Sequence, residues 1–151
     1  MKPFDTIDEI LLFAINSEQE SVDFYTRLST QSVNPEMKLI FRQYAHEEME
    51  HKSKLLGIRD SGLMSVSKEN ILDLKISDYT VDVMPGPNLK YDEALVVAMK
   101  KEKAAFKLYM DLSDRTSDAS MKELFLSLAV EESKHKLRFE IEYDQYVLKE
   151  N

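Results

Sequence analysis

The chain has 151 residues, 43% of them hydrophobic, and a net charge of −8. That length sustains one substantial core, and the acidic balance, with no basic stretch to neutralise phosphates, argues against nucleic acid. Cysteine is absent, which excludes disulfides, thiolate metal sites and iron–sulfur ligation. The opening MKPFDTIDEI is acidic within five residues, unlike a secretory signal. The longest apolar runs are about six residues, far short of the ~20 that span a bilayer. The expectation is a soluble cytoplasmic protein without nucleic-acid or membrane partners.

Taken in chain order, the first predicted element covers 5–31. Leu11, Ala14, Glu18, Val22, Tyr25 and Leu28 recur at the spacing of one helix face. Pro3 and Pro35 sit at helix starts, where the missing N–H is harmless. Asn34 before Pro35 signals an N-cap for a second helix over 36–56, with Met37, Phe41, Ala45, Glu48, Lys52 and Leu55 on one face. All three glycines (Gly57, Gly62, Gly86) and two prolines (Pro85, Pro87) fall in a connecting stretch, 57–89. Within it, alternation over Ile71–Val83 predicts an extended strap. Helices over 90–115 and 119–148 follow, the last with Asp118 as its N-cap residue.

The second pair of helices repeats the first at an offset of 84 residues. Between 8–52 and 92–136, sixteen of 45 positions are identical without a gap. An internal duplication explains this and predicts two hairpins, 5–56 and 90–148, related by an approximate two-fold axis. About thirty connecting residues can run the length of a helix. The fold class is therefore all-α, a ferritin-like four-helix bundle of two repeated hairpins joined by a long crossover. One domain accounts for residues 1–151.

The repeat also carries the chemistry. Adding 84 converts Glu18, Glu48 and His51 into Glu102, Glu132 and His135. With hairpin turns at residues 33 and 117, all four glutamates stand at one level, on apolar stripes. Four buried carboxylates repel one another unless protons or metal relieve them. His at i+3 from Glu48 and Glu132 adds an imidazole to the same face. This ligand chemistry suits two iron or manganese ions, and zinc also fits.

Neighbouring residues have open readings. Glu47 and Glu131 are read as acceptors for a histidine N–H, as solvated charges, or as alternative ligands. Tyr25 and Tyr109 are read as donors to ligand carboxylates, as redox-active neighbours, or as core aromatics with a satisfied hydroxyl. His46, whose repeat partner is Val130, reads as a surface residue. Lys52 and Lys136 read as side chains snorkelling from the helix edge.

The motifs EQESVDFY (18–25), AHEEMEH (45–51), EKAAFKLY (102–109) and LAVEESKHK (128–136) resemble the rubrerythrin-like branch of the ferritin-like superfamily. The resemblance covers all four helices. It implies that Glu18 and Glu102 each bind one iron, and that each Glu-x-x-His supplies a bridging carboxylate and a terminal imidazole. Rubrerythrins proper carry a rubredoxin domain with four cysteines, so this cysteine-free chain needs a separate electron donor. They also have a further glutamate, used in a redox-linked ligand switch, where this chain has Ala105. Met49 in Glu48–His51 is similar to a haem-ligating methionine of bacterioferritin, although ordinary helix packing is the favoured reading. The resemblance implies a homodimer and a non-haem di-iron oxidoreductase, of peroxidase or ferroxidase type. It would oxidise its Fe(II) pair with hydrogen peroxide or O2. The alternatives are a ferroxidase in iron storage or delivery, and a non-enzymatic metal-binding module.

Overall fold

The computed structural model describes residues 4–32, 34–62, 64, 66, 68–71, 73–81 and 89–150. Four long helices carry the fold: α1 (Ile7–Gln31), α2 (Pro35–Ser61), α3 (Tyr91–Arg115) and α4 (Ala119–Glu150). No strand occurs among the described residues, and no helix among them is long and apolar enough to cross a membrane. The expected turn residue at 33, Pro3, Pro85, Gly86, Pro87 and the end of the strap at Val83 lie outside the described residues.

Local chemistry sets the helix ends. Thr6 caps α1 by accepting from the Glu9 N–H at 3.1 Å. Asn34 caps α2 by accepting from Glu36 at 2.9 Å and Met37 at 3.4 Å, and Pro35 follows at the first helical position. Its repeat counterpart Asp118 accepts from the Met121 N–H at 3.0 Å, as expected. At the start of α3 the Glu93 carboxylate reaches back to the Lys90 N–H at 3.1 Å.

Helix α2 runs past the expected boundary at 56. Gly57 lies inside it with open space where a Cβ would be. Ile58 beyond it is buried, and Arg59 reaches Asp8 on α1 at 2.8 Å. These contacts outweigh one exposed glycine, which costs a helix about 1 kcal/mol. The helix stops instead at Gly62, whose φ of 65° is the left-handed conformation that glycine supplies at little cost.

The described part of the crossover is not the extended strap that alternation suggested. Short 3-10 turns occupy Lys68–Asn70 and Ile76–Asp78. Turning brings Ile71, Leu74 and Tyr79 inward, where each is at most 4% exposed. An extended chain with their spacing would point them to different faces. Tyr79 donates to Asp111 at 2.6 Å and Arg115 bonds Asp73 at 2.6 Å, pinning the segment along α3.

Contacts give the helix directions. On α1 and α3, Tyr25 meets Glu102 while Tyr109 meets Glu18, so the numbering runs in opposite senses and the helices are antiparallel. Gln19 with Lys52 and Asp8 with Arg59 make α1 and α2 antiparallel too. Hence α2 and α3 are parallel, the relation that a lengthwise crossover produces. Two apolar cores result. One centres on Leu11, Leu55, Leu112 and Phe125, and the other on Tyr25, Met37, Phe41 and Phe139. Full burial of a side chain such as Phe41 is worth about 2–3 kcal/mol. Between the two cores lies a layer of charged groups.

Candidate metal centre

All six predicted residues lie in that layer. Glu18, Glu48, His51, Glu102, Glu132 and His135 are 1–2% exposed. Their ligand atoms form two groups of four, each within 4.8 Å: Glu18, Glu48, His51, Glu132, and Glu48, Glu102, Glu132, His135. Glu48 and Glu132 belong to both. Each group takes three residues from one hairpin and borrows one glutamate from the other.

Seven buried side-chain polar atoms among the described residues lack a hydrogen-bond partner. Six of them are one atom from each of these six residues, and the seventh is Glu47 Oε2. A buried unsatisfied polar atom costs about 1–3 kcal/mol. Six such atoms facing one region form a donor set with a missing partner. His51 Nδ1 comes within 3.0 Å of Glu132 and His135 Nδ1 within 3.1 Å of Glu48, neither directed as a hydrogen bond. Oxygen and nitrogen donors in this number fit two metal ions.

The remaining atoms of these residues are held from behind. His51 Nε2 pairs with Glu131 Oε2 at 3.0 Å, and His135 Nε2 pairs with Glu47 Oε1 at 3.1 Å. A carboxylate on Nε2 fixes the proton there and leaves the Nδ1 lone pair facing inward. Of the three readings of Glu47 and Glu131, the structure selects the histidine acceptor, but on the opposite hairpin's histidine. Tyr25 donates to Glu102 Oε1 and Tyr109 to Glu18 Oε1. Every one of these contacts recurs in its counterpart 84 residues away, which gives the expected two-fold axis physical form.

Electrostatics register the crowding. Burial, then repulsion from Glu132, Glu102 and Glu18, holds Glu48 well above the usual carboxylate range. Burial, then Glu102 and Glu18, does the same to Glu132. Burial works against protonation of His135, but Glu102 and Glu48 overcome it and carry the imidazole to about 10. His51 is raised for the same reason, with burial opposed by Glu18 and Glu131. Burial and adjacent carboxylates push the Tyr25 and Tyr109 phenols up. The centre without metal is thus a proton-rich cluster, and a cation would replace those protons.

A cavity of about 480 Å³ between α1 and α3 reaches Glu18 and Tyr109. Small residues make room for it: Ala14, Ser17, Ser21, Ala104 and Ala105 line its walls. Lys101 and Glu20, 3.7 Å apart, stand among its lining residues. Tyr44, which helix periodicity places with His51 beside the ligand face of α2, stacks its ring on His135 with centroids 3.8 Å apart, a contact the spacing does not show. Its repeat counterpart is Leu128, so the second half has no matching ring. His46 is at the surface, as read, paired with Glu50 at 3.3 Å. Lys52 and Lys136 are half-buried and hold Gln19 and Glu140. Met49, assigned to helix packing, is 41% exposed because its side of α2 faces outward.

A family model described as rubrerythrin matches residues 9–80 and 93–151. This chain belongs to the rubrerythrin family. No curated protein and no solved structure matches it. The rubrerythrin match leaves out only the first eight residues and 81–92, so it contains all six clustered residues and every helix but the first two residues of α1 and of α3. The rubrerythrin family and the buried carboxylate–histidine cluster together fit a di-iron site. The chain itself has no cysteine for a rubredoxin-type iron.

Proposed function

We propose that this chain is a di-iron oxidoreductase that reduces hydrogen peroxide, or O2, using electrons from a separate donor. The observation that carries the reading is the set of six buried unpartnered donor atoms, one per predicted ligand, in two overlapping groups. Glu18 with His51, and Glu102 with His135, would each hold one iron, with Glu48 and Glu132 shared between them. A ferrous pair, when bound, supplies the two electrons that convert peroxide and two protons into two waters.

The chain's own residues do the rest. Glu131 and Glu47 keep His51 and His135 oriented with Nδ1 inward. Tyr109 and Tyr25 hold Glu18 and Glu102 by one oxygen each, leaving the other free for the metal. The α1–α3 cavity gives a small oxidant access to the Glu18 side. Ala105 lines that cavity, so no carboxylate stands there to change places with a ligand during a redox cycle. Metal analysis of natively purified protein, then stopped-flow mixing of the ferrous form with peroxide and with O2, tests the proposal. About two irons per chain and rapid oxidation are expected. A ferrous form inert to both oxidants would overturn it.

A further inference from the structure

A chain of aromatic rings leads from the carboxylate layer out of the bundle. Tyr25, bonded to Glu102, lies 6.4 Å centroid to centroid from Phe41. Phe41 lies 6.4 Å from Tyr91, and Tyr91 lies 5.1 Å from Tyr146. Phe139 supports the bend, 5.4 Å from Tyr25 and 5.8 Å from Phe41. The first two rings are fully buried, whereas Tyr91 and Tyr146 are partly exposed.

Tyr91 has a second unusual neighbour. Its hydroxyl donates to Glu142 at 2.9 Å, and Glu142 is only 5% exposed. A buried carboxylate is costly, and packing does not require one here. The duplicated half shows this directly. The counterparts of Tyr91, Phe139, Glu142 and Tyr146 are Ile7, Leu55, Ile58 and Gly62. There the rings stop at Tyr109 and Phe125, 6.3 Å apart. One half has thus kept, or gained, a ring path with a carboxylate beside its middle tyrosine.

We propose that Tyr146, Tyr91, Phe41 and Tyr25 carry single electrons between the surface and the carboxylate layer, with Glu142 accepting the phenol proton of Tyr91. The oxidant is the peroxide-oxidised metal pair, so the direction of flow rests on the function proposed above. Tyr91 gives one electron inward and its phenol proton to Glu142, leaving a neutral tyrosyl. Tyr146, partly exposed, refills it with one electron while its own phenol proton passes to solvent; Glu142 returns its proton to Tyr91, and a one-electron reductant at the surface with a solvent proton restores Tyr146. A tyrosine loses an electron readily only if its O–H proton has an acceptor, which is why the carboxylate matters. Phe41 has no such proton and serves as a bridge, remaining unoxidised.

The absence of native cysteine allows a direct test on the whole metal-free chain. A ruthenium photo-oxidant is attached at Lys149→Cys, one turn from Tyr146, and the tyrosyl signal is followed after a flash. In the parent, electrons should pass outward along the same route, so that the oxidising equivalent migrates inward from Tyr146, and Tyr91→Phe and Glu142→Gln should slow it at least about tenfold. Circular dichroism of both variants should match the parent; Tyr91→Phe leaves the buried Glu142 without its donor and should melt somewhat lower, so transfer is compared well below the melting temperature of either variant. Unchanged transfer in both variants would overturn the route. A second measurement treats iron-loaded protein with peroxide and no reductant, then maps oxidised tyrosines by peptide mass spectrometry. Oxidation at Tyr91 and Tyr146, lost in Phe41→Leu, supports route and function together. Photochemical transfer without peroxide-driven oxidation would leave the route standing and refute the peroxide-oxidised metal pair as its oxidant.

Discussion

Glu131 of α4 holds His51 of α2 across the bundle, Oε2 to Nε2 at 3.0 Å. The same contact is made in reverse by Glu47 and His135 at 3.1 Å. Neither glutamate belongs to either candidate ligand group, yet each determines which nitrogen of a histidine faces the interior. Glu131→Ala and Glu47→Ala should therefore each weaken metal binding about 10–100-fold. Competition against a chelator measures this. Affinity equal to the parent would show that the pairs do not orient the histidines.

Shared and unshared glutamates should behave differently. Glu18→Ala leaves the second group intact and should lower occupancy from about two metals to about one. Glu48→Ala damages both groups and should leave close to none. Elemental analysis after dialysis decides between this pattern and equal losses for the two variants, which would refute the shared role.

Removing one hydroxyl tests the tyrosines. Tyr25→Phe and Tyr109→Phe each leave a buried carboxylate oxygen without its donor, at a cost of about 1–3 kcal/mol. Because the two contacts are symmetric counterparts, the two costs should be similar. Denaturant unfolding of each variant reads the difference.

Proton binding sets a pH trend for the metal-free protein. Glu48, Glu132, His51 and His135 all have folded values above their ordinary ones, so the folded chain binds more protons than the unfolded chain. Stability from these groups is present at low pH and is lost as pH rises through the folded values, ending near 10 for His135. Metal needs the deprotonated ligands, so its stabilising effect should grow over the same window. Thermal melts with and without metal, from roughly pH 6 to roughly pH 9, should diverge as pH rises. Parallel curves would contradict the linkage.

The two glycines of α2 make opposite predictions. Gly57→Ala fills open space in a helix and should stabilise by about 0.5–1 kcal/mol. Gly62→Ala puts a Cβ on a φ of 65° and should destabilise by about 1 kcal/mol. Chemical denaturation of both variants provides the check, and gains in both would sink the assignment of the helix end.

Much of this was written in spacing. The 84-residue repeat located Glu18, Glu48, His51 and their counterparts, because helix periodicity and hairpin antiparallelism turn sequence distance into height. What spacing cannot carry is contact between elements far apart in the chain. Glu47 stands four residues before His51, which suggests a partner on its own helix, but it serves His135. Tyr44 falls beside the ligand face of α2 by periodicity, but its stacking on His135 of α4 is a contact between helices that spacing does not show. Gly57 was taken for a stop signal because its cost is local, while the packing of Ile58 that overrides it is not. The crossover turns had no strong pattern at all, since three anchors at uneven spacing resemble weak alternation.

Neither hairpin owns a candidate ligand group. Each supplies three residues to one group and lends a single glutamate to the other, and each also provides the one carboxylate that orients its sister's histidine. This is the arrangement that two copies of one short helical hairpin would make by pairing symmetrically. The crossover ties such a pair into one polypeptide, and the halves are then free to diverge. One side could keep Ile7, Leu55 and Ile58 as plain packing while the other took up Tyr91, Phe139 and Glu142. The chain is, in effect, a homodimer that covalent linkage has released from the obligation to be symmetric.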